Sequence, residues 1–448
     1  MADQLGRQGT LAEALEAIGA DIVHVGVFDY ASMFRERRLH REDLLTGADT
    51  AVFANVPLKW DQGETILFPG PYRSETVSYD AASLRAYPFE KNAAALVADY
   101  TGPQAAITPR RVLGEQVAKA RSLGFDVHAA YEFEFIVLNE TAETLRAKGF
   151  ANLDPYAPDN RCWSGQTAAA QASFVSDLED LLTRGGIDLY SLSVELGPGC
   201  FEATLRHRDA MRAADDAAFF RLFTKAFCRQ RGLTASFMAL TGAGFPGIGG
   251  HIALSLRERK SGRNVFGDRS DAQGLSPLAR SFLAGIIDGV PEVFPMIGNT
   301  VNAYRRLAPG SWAPKTVSWA PYNYAAAVRI AAETEEMTRL ELRLPGSDLN
   351  PHLALAAMLG AGLDGLERKL ALAAAPIASG GPNEIPEGVE RLPIDLLAAT
   401  KKFCASAKAR ALHGDAFVDH YAAICEAEDA ALRKAVSAAE VQRYLEGG

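Results

Sequence analysis

At 448 residues the chain is longer than one ordinary hydrophobic core supports, so two domains or one elaborate domain is expected. A net charge of −9 and the lack of any basic stripe argue against a nucleic-acid partner. There is no apolar run of about 18 residues, so no membrane span is expected. The start, Met1-Ala2-Asp3-Gln4, lacks a signal pattern, and Cys162, Cys200, Cys228, Cys404 and Cys425 form no CxxC pair, which suits free thiols in a reducing cytoplasm.

Apolar spacing predicts a helix over 11–18, then a Val- and Ile-rich strand over 21–28 and a turn near Asp29. Short extended segments are expected at 52–58, 65–67 and 93–99, punctuated by Pro69, Gly70, Pro71 and Pro88. These first hundred residues read as a small mixed domain bounded at Thr101-Gly102-Pro103. Beyond it, helices are expected at 109–123 (closed by Gly124), 168–184 (ending at Gly185-Gly186), 210–232, 276–289 and 350–370. Strands are expected at 127–138, 235–240, 251–256 and 339–344. Residues 376–393 form a Gly- and Pro-rich loop, and the tail from Leu396 is helical and charged. No internal repeat interrupts this order.

The chemistry begins at Tyr131-Glu132-Phe133-Glu134-Phe135. Side chains alternate along a strand, so Glu132 and Glu134 share one face while Phe133 and Phe135 enter the core behind it. Taken alone, such a pair fits a solvated face. The pattern recurs, however. Glu195 and Glu202 bracket Leu-Gly-Pro-Gly-Cys-Phe, whose glycines and proline suit a bend returning both acids to one place. His251, Ala253 and Ser255 share a face, as do Arg339, Glu341 and Arg343. Five carboxylates facing one cavity repel strongly unless cations join them. Hard divalent ions solve this: magnesium suits carboxylates with phosphate, and manganese tolerates the histidine. A lone His251 reads as a core residue, but in this company it reads as a ligand.

The ordered series Glu-x-Glu, Glu-x6-Glu, Gly247 to Ser255, Asn302 to Gly310 and Arg339 to Arg343 resembles glutamine synthetase. The similarity runs on through Asp348 to His352 and Met358 to Gly365. The stretch Gly414 to Tyr421 looks like family members that are not true glutamine synthetases. The resemblance implies an α+β fold, with an N-terminal β-grasp domain at 1–103 and a catalytic domain at 104–448 built on a curved antiparallel sheet with flanking helices. It implies a homo-oligomer of stacked hexameric rings, a dodecamer, with active sites between subunits. It implies ATP as co-substrate and two or three Mg²⁺ or Mn²⁺ ions per site. Carried over by position, Glu134, Glu195 and Glu202 look like ligands of one metal, and Glu132, His251 and Glu341 of the second. Arg306 and Arg343 look like the groups that hold glutamate, with Gly247 and Glu134 beside it. Arg329 resembles a phosphate-stabilising arginine, and Ser255, Arg339 and His207 fall where the family contacts the nucleotide. The implied chemistry is an acyl phosphate made from ATP and a carboxylate, then attacked by a neutral amine.

The chain departs from the family at telling positions. Trp312 stands where a loop glutamate closes the site and helps deprotonate ammonium. The family's ammonium-binding aspartate falls near Ala54 or Asn55, and neither is charged. Tyr324 replaces an arginine near the phosphates, Ala253 a second histidine, and Pro246 an asparagine of the substrate loop. Ammonium needs anions around it, whereas an indole offers apolar area and a cation-attracting face. The expected reaction therefore joins glutamate to an organic amine, with Trp312 among the catalytic groups beside Arg306 and Arg329. Asp61 and Glu64 keep a polyamine open. The competing readings are a true glutamine synthetase, a ligase acting on another acid, and a catalytically silent scaffold.

Overall fold

The structure is a computed structural model that describes residues 10–47, 51–308, 310–378, 381 and 384–445. Its first sheet has five strands: β1 (Ile22–Phe28), β2 (Phe34–His40), β3 (Val52–Ala54), β4 (Ser74–Ala86) and β5 (Ala93–Tyr100). Their order is β2-β1-β5-β4-β3, with β1 and β5 parallel and the other neighbours antiparallel. Every residue of β1 is buried, as its Ile-Val-His-Val-Gly-Val-Phe run requires of an interior parallel strand. Gly26 is needed there, because a Cβ would sit 2.3 Å from the carbonyl oxygen of Arg35 on β2. The helix Leu11–Ile18 starts at a Thr10/Glu13 capping box, as its sequence pattern dictates.

The second sheet contains β6 (Phe125–Leu138), β7 (Leu189–Val194), β8 (Cys200–Leu205), β9 (Arg208–Asp209), β10 (Thr234–Ser236), β11 (Gly250–Glu258), β12 (Trp319–Pro321), β13 (Val328–Ala331) and β14 (Arg339–Leu342). The order is β12-β13-β14-β11-β6-β8-β7, with β9 and β10 also paired to β6. The sheet is antiparallel as expected, with β12 and β13 at one edge the single parallel pair among the described residues. Helices cover its back face. Phe133 and Phe135 point there, with ring centroids 5.5 Å from Phe220 and Phe237 respectively. The helix Pro351–Glu367 is buried almost all round and lies so close to Pro277–Val293 that a Cβ on Gly365 would meet Gly285 Cα at 2.6 Å.

One continuous apolar cluster runs from Leu15 to Cys425, through both sheets. Buried charges cross the same seam. Arg85 of β4 pairs with Asp216 at 2.7 Å, and Arg110 pairs with Asp215 at 2.9 Å and also with Asp80 and Asp99.

Several expected elements are shorter than the pattern predicts. Residues 65–67 contribute only a single bridge, Trp60 to Ile66, and 56–58 is a 3₁₀ turn. The strand expected at 235–240 ends at Ser236, and the helix expected at 168–184 is interrupted at Gln171. Among the described residues no helix is long and apolar enough to cross a membrane.

Candidate active site

The register of the second sheet assembles the site. His251 lies opposite Glu132 across β11 and β6, Ala253 opposite Glu341 across β11 and β14, and Arg329 opposite Glu341 across β13 and β14. His251 Nδ1 is 2.9 Å from Glu132 Oε1 and 3.8 Å from Glu341 Oε1. Ligand atoms of Glu132, His251 and Glu341 all lie within 4.8 Å of one another, the spacing of a metal-ligand triad. Burial opposes ionisation of Glu132, but the hydrogen bond and charge of His251, with Arg343 and Thr204, outweigh it and hold that carboxyl at about 2.

The other three acids sit beside this triad. Glu134 lies opposite Glu202 across β6 and β8. Its Oε2 accepts the Gly249 N–H at 2.9 Å, and burial still raises its pKa against the pull of His251 and Arg306. Glu195 follows β7 in a tight hairpin, where Gly197 and Gly199 take positive φ (103° and 67°) so the chain can return as β8. Burial, then repulsion from Glu132, Glu134 and Glu195, pushes the Glu202 carboxyl up to about 9. Glu195 Oε2 is buried with no hydrogen-bond partner. An orphaned buried carboxylate oxygen and an acid forced to keep its proton both fit a nest shaped for cations. Among the described residues, Glu134, Glu195 and Glu202 do not close a second ligand group of their own.

The arginines enclose these acids. Arg343 and Arg329 both bind Glu341, one to each carboxylate oxygen. Buried Arg306 donates to the Leu344 carbonyl at 3.0 Å and leaves its Nε unpaired. Gly247 packs on Arg306, with room for a Cβ only 3.1 Å from Arg306 Cγ, and Gly249 cannot carry one because His251 Nε2 would lie 2.6 Å away. The expected nucleotide residues lie further along the same face. Ser255 is opposite His128, and the His207 ring is 5.9 Å from that of His128. Arg339 is drawn aside to Glu333 at 3.0 Å.

Trp312 is 56% exposed on a loop held by Ser311, whose hydroxyl donates to the Arg306 carbonyl at 2.5 Å, and by Lys315, which donates to Ser311 O at 2.8 Å. Pro309, in the motif before it, lies outside the described residues. Tyr324 stacks its ring 5.0 Å from the Arg329 guanidinium and 5.1 Å from that of Arg343, and its carbonyl accepts from Arg343 Nε. Asn55 is buried and spent on Pro71 O, Glu75 and the Arg73 N–H. Asp61 accepts from Gly63 and Thr65 N–H groups in its own turn, and Glu64 pairs with Arg35 at 2.6 Å.

Sequence reasoning missed two supporting residues. Thr204 donates to Glu132 Oε2 at 3.1 Å; it shares a strand face with Glu202, and that alternation was the available signal. The Asn160 amide donates to the carbonyls of Glu195, Gly197 and Cys200 and so staples the hairpin, which no local pattern announces.

The family model "Glutamine synthetase, catalytic domain" matches residues 106–444. "Type-1 glutamine synthetase 2" of Dictyostelium discoideum is 32% identical over 88% of this chain and 77% of its own length. "Glutamate--isopropylamine ligase" of a Pseudomonas species is 30% identical over 96% of both chains. The solved structure titled "GmaS/ADP complex-Conformation 1" superposes with a TM-score of 0.83 at 25% identity, covering 98% of this chain and 99% of its own.

Proposed function

The chain belongs to the glutamine synthetase family, and from that premise we propose that it is an ATP-dependent ligase joining the γ-carboxylate of glutamate to an organic amine through γ-glutamyl phosphate. The observation that carries the choice of amine is Trp312, an exposed indole anchored beside Arg306 where ammonium chemistry needs an anion. Asn55, neutral and engaged with Pro71, Arg73 and Glu75, supplies no second anion. The relative named for isopropylamine, matched over 96% of its length, supports the same class of substrate.

In this reading Glu132, His251 and Glu341 hold one divalent cation and Glu134, Glu195 and Glu202 another, with magnesium favoured by the carboxylate-rich set. Such ions, when bound, neutralise charge on the phosphates. Arg306 and Arg343 clamp the glutamate carboxylates against the Gly247 backbone. Arg329, oriented by Glu341 and by the Tyr324 ring, supplies fixed positive charge to the transferring phosphoryl group. Ser255, Arg339 and His207 take the nucleotide. The amine reaches the acyl phosphate as the neutral base, past Trp312, which offers apolar area to its carbon chain.

The proposal also divides the chain at residue 103 into a β-grasp domain and a catalytic domain; strands β1–β5, all before that point, support it. It extends to a dodecamer of stacked hexameric rings with active sites between subunits, and to the cytoplasm, where five unpaired cysteines are at home.

The test is phosphate release from ATP and Mg²⁺ with L-glutamate across ammonium, methylamine, ethanolamine, putrescine, isopropylamine and aniline. Strong turnover with one organic amine and little with ammonium supports the reading. A preference for ammonium returns the chain to ordinary glutamine synthesis. Bound ATP and metal without turnover on any amine points to another acid.

A further inference from the structure

A cavity of about 320 Å³ lies away from the metal triad, behind the substrate loop. Arg221 and Lys225, one turn apart on the helix Ala210–Gln230, form one wall. Phe237 and Met238 add apolar surface, and Thr300 and Asp348 also line the cavity.

The charges in this cavity are unbalanced. Asp348 accepts from the Thr300 hydroxyl at Oδ2 only, its buried Oδ1 having no hydrogen-bond partner, and it attracts Arg221, which also donates to the Leu349 carbonyl. Lys225 has no hydrogen bond and no ion pair among the described residues; its ammonium lies 5.8 Å from the Phe237 ring centroid. Burial, and then repulsion by Arg221, lowers its pKa to about 8. Two cations against one acid leave the lining one positive charge in excess. A site for inorganic phosphate alone would need neither this volume nor apolar surface.

We infer that this cavity is a second ligand site, for a small organic carboxylate whose charge sits between Arg221 and Lys225 and whose short carbon chain lies on Phe237 and Met238. Asp348, the one acid of the lining, repels a second carboxylate in the same cavity, so a monocarboxylate or an amino acid fits better than a dicarboxylate.

The placement connects the cavity to the substrate loop. Asn302, also in the lining, exchanges two hydrogen bonds with the Leu240 backbone, at 2.8 and 3.0 Å. Leu240 bridges to Gly247, and Gly247 packs on Arg306. A ligand that braces Asn302 therefore braces the loop assigned to glutamate.

The experiment is titration calorimetry of the whole protein with L-alanine, butyrate, succinate, inorganic phosphate and methylammonium, without ATP, metal or amine. Its outcome is thus independent of the ligase reading. The expected result is saturable binding of butyrate or L-alanine, weakened about tenfold or more in Lys225→Gln, with methylammonium silent. Lys225→Arg, which keeps the charge, should retain most of the affinity. The inference is overturned if phosphate or succinate binds tighter than the monocarboxylates, or if Lys225→Gln binds them unchanged. It is equally overturned if Lys225→Gln changes oligomer size in sedimentation while carboxylate binding is absent from the wild type, which would make the cavity a subunit contact. Unchanged melting of Lys225→Gln separates lost binding from lost folding.

Discussion

Glu202→Gln isolates what the carboxylate nest costs when metal is stripped away. Burial and the neighbouring Glu132, Glu134 and Glu195 push the Glu202 carboxyl up to about 9, against about 4.3 in an unfolded chain. Between those values the folded protein binds more protons than the unfolded one, so stability falls with rising pH. The contribution is fully present below about pH 4 and is lost as pH climbs through about 9. One proton of difference is worth about 1.4 kcal/mol per pH unit, which sets a ceiling of about 4 kcal/mol between pH 6 and 9. The clustered acids share the proton, so about 1–2 kcal/mol is the expected size. Gln cannot ionise and keeps the shape. In EDTA, the variant should therefore melt higher than the wild type near pH 8.5, with a smaller gap near pH 6. It should also lose Mg²⁺ affinity. In the wild type, Mg²⁺ binding near pH 7.5 should release up to about one proton, read by calorimetry in two buffers of different ionisation enthalpy. A gap independent of pH, or Mg²⁺ binding without proton release, refutes the reasoning.

Other substitutions probe the remaining assignments. Trp312→Ala should lower kcat/KM for an apolar amine by about 10-fold, the value of a partial apolar contact with the exposed indole, and leave Mg²⁺ binding unchanged by calorimetry. Trp312→Glu should raise turnover with ammonium in the phosphate-release assay. Asn160→Ala removes the donor to three hairpin carbonyls and should cost about 2–3 kcal/mol in urea denaturation, with weaker Mg²⁺ binding because Glu195 loses its support. Arg110→Met removes the cation shared by Asp80, Asp99 and Asp215, leaving Asp215 only His352, and should cost about 3–5 kcal/mol by the same measurement. Tyr324→Phe keeps the ring over both arginines and should stay within about twofold of wild-type KM for glutamate, while Tyr324→Ala should raise it about threefold.

The acids of the site were legible because strands alternate. Once Glu132 and Glu134, or Arg339, Glu341 and Arg343, fall on a polar face backed by Phe or Leu, their common direction follows from period two alone. What alternation cannot supply is register between strands distant in sequence. Whether Glu132 or Glu134 stands opposite His251 is a two-residue shift of register, decided by the pairing of β6 with β11. Edge and irregular strands were missed for related reasons. β2 reads Phe-Arg-Glu-Arg-Arg-Leu-His and leaves most of its charged residues exposed, so apolar content hides it. In β4 a register shift between Asp80 and Arg85 breaks the alternation that would have revealed it.

Tyr324 shows where substitution at a single position misleads. Read as an arginine lost from the phosphates, it weakens the case for catalysis. In the fold its ring faces the guanidinium groups of Arg329 and Arg343, and its carbonyl holds Arg343 Nε. Both arginines are also tied to Glu341, an acid of the triad. Removing one cation from this crowd relieves mutual repulsion among the arginines, and the ring that replaces it attracts the two that remain. The change therefore redistributes positive charge around Glu341 and still leaves two oriented arginines facing the triad. In the proposed reading, an aromatic wall here and a second aromatic at Trp312 would both make the approach to the reacting carboxylate more apolar. That common direction is what an enzyme taking a carbon-bearing amine in place of ammonium requires.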